Sequence, residues 1–158
     1  MLILALPACY RRQAPDPLEL AQLIRDLGSP NARVAERASE KLMVMGPAAE
    51  AAVPALVRNL GPGNGARQMV NLSATNALLR IGPRAALPAL VEAVQGDDPG
   101  IAYGAIWTLG GFGRAARAAR PAILTALENP KLQSVADRIL RMIDGEKDDR
   151  EVRRMGWR

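Results

Sequence analysis

Val70-Asn71-Leu72-Ser73-Ala74-Thr75-Asn76-Ala77-Leu78-Leu79-Arg80-Ile81-Gly82 sets Val70, Ala74, Leu78 and Ile81 at helical spacing and closes on glycine. Apolar side chains three and four residues apart fall on one face of an α-helix. The same phrase precedes this stretch as Val34, Ala38, Leu42, Met45 and Gly46. It follows it as Ile101, Ala105, Leu109, Phe112 and Gly113. Beyond each glycine comes a second apolar run with a Pro-Ala dipeptide: Val53-Pro54-Ala55-Leu56-Val57, Leu87-Pro88-Ala89-Leu90-Val91 and, more weakly, Arg120-Pro121-Ala122-Ile123-Leu124. The repeating unit is thus a helix pair of roughly thirty-odd residues, the period of stacked helical arrays. That recurrence fixes how the chain is built and is silent on what it binds.

Outward from these units, the first candidate helix follows Pro15-Asp16-Pro17 and carries Leu20, Leu23, Ile24 and Leu27 on one face. It matches the second helix of a unit that has no first helix. Gly28 ends it, and Ser29-Pro30 opens the next helix, serine as a side-chain acceptor and proline in the first turn. The same grammar returns at Gly96-Asp97-Asp98-Pro99 and at Asn129-Pro130. Gly61-Pro62-Gly63-Asn64-Gly65 departs from it. That loop lacks the Lys and Ser or Thr of a phosphate-binding loop and follows a helix, so it reads as a connector. A fourth copy of the first helix carries Leu132, Ala136, Leu140 and Ile143, closed by Asp144-Gly145.

About eight helices are expected, near residues 17–27, 31–45, 48–60, 66–81, 84–95, 99–111, 115–128 and 131–143. The repeat domain spans 17–143, preceded by a leader or lipoprotein-like segment with its spacer at 1–16. A charged tail without an apolar stripe occupies 144–158.

In 158 residues, 49% of them apolar, a core can form without disulfides or metal. Only five residues are aromatic, so the core is built from Ala, Leu, Val and Ile, which demands closely spaced elements. No sustained alternation bounded by hairpin turns is present, and the fold class is all-α. The formal charge is +5, carried by 18 Arg against 3 Lys. These cations are spread along the chain, with local clusters at Arg11-Arg12, at Arg114, Arg117 and Arg120, and at Arg150, Arg153 and Arg154. A nucleic-acid footprint would be a concentrated stripe with aromatic platforms. The absence of His removes the commonest general base and metal ligand, and a single Cys cannot close an internal disulfide. Hydrolase triads, zinc sites and dithiol redox chemistry in their usual forms are closed to one copy of this chain.

On the Val34/Val70/Ile101, Ala38/Ala74/Ala105 and Leu42/Leu78/Leu109 series, the Gly46/Gly82/Gly113 turns and the downstream Pro54, Pro88 and Pro121, residues 17–143 resemble the HEAT-repeat superfamily, specifically the short bacterial HEAT-like repeats grouped with phycobilisome lyases. Ala105-Ile106-Trp107-Thr108-Leu109-Gly110 is similar to that family's frequent Ala-Ala-Trp-Ala-Leu-Gly run. The resemblance implies a right-handed α-solenoid of helix pairs. It says almost nothing of function, because such repeats serve as scaffolds, lyase-associated domains and DNA-repair enzymes. The Arg that commonly follows the family's first apolar position is Ala35, Asn71 and Ala102 here, so the polar ties between repeats that this Arg implies are in doubt and packing must rely more on apolar contact.

Tyr103 and Trp107 lie four apart, opposite the Ile101, Ala105 and Leu109 stripe. Two readings stand: outward anchors for a partner, or rings lying across the neighbouring repeat. Asp97 and Asp98 precede Pro99 and read as turn and cap, not as paired catalytic acids. On the second helices, which would line a concave surface, Arg58, Asn59, Glu92, Gln95, Thr125 and Glu128 are the candidate partner-binding residues. No catalytic, metal or cofactor-binding residue is assigned.

Leu2-Ile3-Leu4-Ala5-Leu6-Pro7-Ala8-Cys9 looks like a bacterial lipoprotein processing site, with Cys9 as the lipidation candidate. It lacks a basic n-region, and its apolar run is short for a signal peptide. A start assigned too far downstream would explain both features; alternatively, the segment covers the open end of the array. The first reading places the protein in a bacterial cell envelope, the second in the cytoplasm.

The function expected from this sequence is a non-catalytic protein–protein interaction scaffold with an unidentified protein partner and no cofactor. A membrane enters only through a lipid on Cys9. The rival is a HEAT-like nucleic-acid-binding or DNA-repair protein, which would gather Arg and Trp on the second helices, whereas Trp107 lies on a first helix. A bilin lyase is a third alternative, but the repeats contain no conjugating Cys and no chromophore-pocket aromatics.

Overall fold

A computed structural model of the chain describes residues 15–145. Among them there is no strand, and the fold is all-α. The order is α1 (Pro17–Leu27), α2 (Ala32–Met45), a 3-10 segment (Gly46–Ala52), α3 (Val53–Arg58), α4 (Ala66–Ile81), α5 (Pro83–Gln95), α6 (Pro99–Phe112), a second 3-10 segment (Gly113–Ala119), α7 (Arg120–Ala126) and α8 (Gln133–Asp144).

The expectation of about eight comparable helices needs correction. Six are α-helices of eleven to sixteen residues. The stretches expected near 48–60 and 115–128 are composites, a 3-10 segment running into a short α-helix of six or seven residues. Proline explains the difference. It lacks an N–H and fits best in the first helical turn, and α3 starts one residue before Pro54 and α7 one residue before Pro121. The seven residues from each turn glycine up to that start wind more tightly, with i to i+3 bonding. In the middle unit the proline follows its glycine two positions sooner, leaving no room for such a segment. There α5 begins at Pro83 and carries Pro88 inside it.

Helix starts follow local acceptors. Asp16 Oδ1 accepts from Leu18 N–H at 2.9 Å, and Asp98 Oδ1 accepts from Gly100 N–H at 2.8 Å, which is the capping role its place before Pro99 predicts. At α2 the cap is Asn31, accepting from Arg33 N–H at 3.1 Å, and not Ser29, whose Oγ accepts from Asn31 N–H instead. The helix therefore begins two residues later than Ser29-Pro30 suggests.

Leu42, Leu78 and Leu109 are fully buried, and so, within 2%, are Ala38, Ala74 and Ala105. The repeated turn glycines Gly46, Gly82 and Gly113 all have positive φ, at 58°, 105° and 53°. A side chain there would cost about 1–2 kcal/mol, which is the reason for glycine at each helix-pair corner. At the head of two units the burial is shifted by one position. Val34 and Ile101 are only half-buried, whereas Ala35 and Ala102 are buried.

Packing proceeds by neighbours. Each first helix touches the next, α2 on α4, α4 on α6 and α6 on α8, and each second helix does likewise, α1 on α3, α3 on α5 and α5 on α7. Polar ties reinforce one of these junctions and the turn from α3 into α4. The Asn59 side-chain amide donates to Leu27 O at 3.0 Å, joining the ends of α1 and α3. The Asn71 amide donates to Leu60 O at 2.6 Å and Gly61 O at 3.1 Å. Thus Asn71 supplies a polar tie at the position where Ala35 and Ala102 offer only apolar contact.

Candidate functional site

On the side of the molecule where successive units join, a groove of about 440 Å³ opens between the Gly61–Gly65 loop, the first turns of α4 and α6, and the turn before α8. Its walls are Leu60, Pro62, Gly63, Gln68, Asn71, Pro99, Gly100, Tyr103 and Lys131.

The groove exists because α6 approaches its neighbours at glycine. Gly104 lies so close to the end of the preceding unit that a Cβ there would collide with the carbonyl oxygen of Leu60 and come within 2.8 Å of the Leu60 Cβ. One turn earlier, a Cβ on Gly100 would run into the Pro62 ring. Small residues four apart let the backbone of α6 settle onto the loop, and Tyr103 projects beside that contact, 47% exposed. Its ring faces a largely apolar wall. At the margins Gln68 and Lys131 are exposed, while the Asn71 amide nitrogen is committed to the two carbonyls that shape the loop.

Of the residues weighed as partner-binding candidates, this groove contains Tyr103 alone. Trp107, one turn along, is partly buried and packs against the core, so the two rings do not form one equally exposed face. Asn59 is partly buried, and its amide serves the Leu27 carbonyl, which makes it a structural tie. Arg58, Glu92, Gln95, Thr125 and Glu128 are exposed on or just beyond α3, α5 and α7, and Thr125 Oγ1 donates to Ala122 O at 2.8 Å. No ion pair or side-chain hydrogen bond draws these five together. Cys9, residues 1–14 of the 1–16 leader and spacer, and residues 146–158 of the 144–158 tail lie outside the described residues.

Pro62, Gln68, Asn71, Pro99, Gly100 and Lys131 were not identifiable as site residues from their spacing. The available signal was the irregular Gly61-Pro62-Gly63-Asn64-Gly65 loop, read as a connector, facing the side-chain-free Gly100. Among the described residues, no three His, Cys, Asp or Glu side chains converge as metal ligands. No helix among them is long and apolar enough to cross a membrane. The arrangement offers an aromatic ring, two prolines and flanking polar groups, a surface suited to contact with another chain. No family model, curated protein or solved structure matches this chain.

Proposed function

We propose that this chain is a non-catalytic protein-interaction scaffold, a short right-handed α-solenoid of HEAT-like helix pairs that holds a partner segment in the Tyr103 groove. Contact between each helix and its counterpart in the next unit supports the solenoid reading, as do the three positive-φ glycines at equivalent corners. The half-exposed Tyr103 beside Pro62 and Pro99 is the observation that carries the binding reading. Tyrosine contributes a large rigid contact area with one hydrogen-bonding end, and it is enriched among residues that dominate interface energetics. On α4, Leu72, one turn beyond the groove residue Gln68, is an exposed apolar side chain. An extended partner segment would lay an apolar side chain against Tyr103 and find its polar groups at Gln68 and Lys131.

Photo-crosslinking in the native cells tests this. With p-benzoylphenylalanine introduced at Tyr103, the reading predicts discrete protein adducts that are absent when the same group replaces Glu40 on the exposed face of α2. Adducts of equal pattern at both positions would refute it.

A further inference from the structure

We infer that the edge formed by the glycine corners is a second docking surface, which receives an acidic segment of a partner protein through Arg80, Arg84, Arg114 and Arg117. This inference rests on reading the chain as a protein-binding scaffold.

The corners lie in one row. A Cβ on Gly111 would stand 2.7 Å from Leu79 Cδ2, which places the ends of α4 and α6, and hence the Gly82 and Gly113 corners, side by side. On one flank, a Cβ on Gly46 would lie 3.5 Å from Arg80 O. On the other, the Arg114 guanidinium lies over Gly145, with Nη2 3.2 Å from the position a Cβ would take there. All four arginines are exposed, and none has an ion-pair or side-chain hydrogen-bond partner among the described residues. The nearby carboxylate of Asp144 is already engaged by Arg120 at 3.2 Å, and Arg141 is paired with Asp137. Among the described residues, the middle of the edge thus carries four cations with no ion-pair partner.

Helix electrostatics accounts for only one of them. Arg80 sits in the last turn of α4, where the helix end is negative. Arg84 sits in the first turn of α5, where its charge adds to a positive end. Arg114 and Arg117 are three apart in a 3-10 segment, the spacing at which side chains eclipse, so their charges stand together. A planar guanidinium matches a carboxylate through two parallel hydrogen bonds, which favours arginine for such a partner. Packed helices lie about 8–10 Å apart. That separation corresponds to about three residues of polyproline II chain at roughly 3.1 Å each, and three residues complete one turn of that helix, so a segment in this conformation with acidic side chains three apart would present them on one face to both arginine pairs. A protein is favoured over nucleic acid because Phe112, the ring at this edge, packs against the core and offers no platform for a base.

Fluorescence anisotropy of a labelled peptide of glutamate and serine, titrated with the full chain, tests the inference. The expected result is saturable binding that weakens with added salt. Replacing Arg84→Gln together with Arg117→Gln should weaken it roughly tenfold, the loss of charge-assisted pairs, whereas Arg33→Gln with Arg37→Gln on α2 should leave it unchanged. If the first double variant loses its helical spectrum, Arg84→Gln and Arg117→Gln are measured singly, and each must weaken binding. Absence of peptide binding, equal loss in both double variants, or tighter binding of duplex DNA or phosphatidylserine vesicles would overturn it. Tyr103→Ala leaves this binding intact if the edge and the groove are separate. Failure of the groove alone would therefore not be mistaken for failure of the edge.

Discussion

The side-chain amide of Asn59 donates to the main-chain carbonyl of Leu27 at 3.0 Å across thirty-two positions of sequence. Leu27 is the last residue of α1 and is buried, so its carbonyl is one of the acceptors a helix end leaves without an intrahelical donor. Asn59 stands just past the end of α3. One side chain thereby satisfies the end of one second helix from the end of the next, and it does so in a position a sequence reading assigns to a binding surface.

Replacing Asn59→Ala removes that donor and should destabilise the protein by about 1–3 kcal/mol, the cost of leaving a buried acceptor unpaired. Asn59→Asp should cost more, because a carboxylate cannot donate and would face two carbonyl oxygens. Urea denaturation of both variants measures this. An unchanged midpoint for Asn59→Asp would show that the tie contributes nothing.

Gly104→Ala sets two effects against each other. Alanine is favoured over glycine in a helix interior by about 1 kcal/mol. Its Cβ, however, would meet the backbone oxygen of Leu60, which no side-chain rotation can move away. Forcing the helices apart typically costs about 1–3 kcal/mol, so the net effect is destabilising. A rise in melting temperature would contradict the close approach that shapes the groove.

Leu78→Ala, at the centre of the buried Ala/Leu stripe, should cost about 2–5 kcal/mol through lost burial and a residual cavity. Leu72→Ala on the same helix removes a side chain that is 51% exposed, and its effect should stay within about 0.5 kcal/mol. Thermal melting of the pair checks the register of α4. Equal costs would mean that its buried face is wrongly placed.

The two prolines of like position should behave differently. Pro88 lies inside α5, so Pro88→Ala restores an intrahelical donor and should stabilise, against about 0.4–1 kcal/mol lost through a freer unfolded chain. Pro54 stands in the first turn of α3, where no donor is needed, and Pro54→Ala has only that loss. Denaturant midpoints should move in opposite directions. A shift in the same direction would exclude this account of α3 and α5.

Much of the architecture was legible in the sequence, since stripes such as Val70, Ala74 and Leu78 depend only on helical spacing, and positive-φ corners select glycine. What escaped was non-periodic. The two-residue difference between the Gly82 to Pro88 and Gly46 to Pro54 intervals decides whether a 3-10 segment forms, yet it leaves the apolar pattern almost untouched. Burial of Ala35 and Ala102 in place of Val34 and Ile101 depends on helix rotation against a neighbour. The groove depends on Gly100 and Gly104 meeting Pro62 and Leu60, about forty residues away, where the signal is an absent side chain. For Tyr103 and Trp107 the sequence leaves two readings, outward anchors or rings across the neighbouring repeat, and only packing separates the half-exposed Tyr103 from the partly buried Trp107.

The central claim, that the Tyr103 groove receives a protein, is tested most directly by quantitative affinity capture from native lysate, comparing the full chain with its Tyr103→Asp variant. Tyr103 is half-exposed, so the variant should keep the helical spectrum and melting temperature of the original. The account predicts a defined set of proteins enriched by the original chain and lost from the variant, with recovery indifferent to nuclease. Identical recoveries from both chains, or enrichment abolished by nuclease, would contradict it.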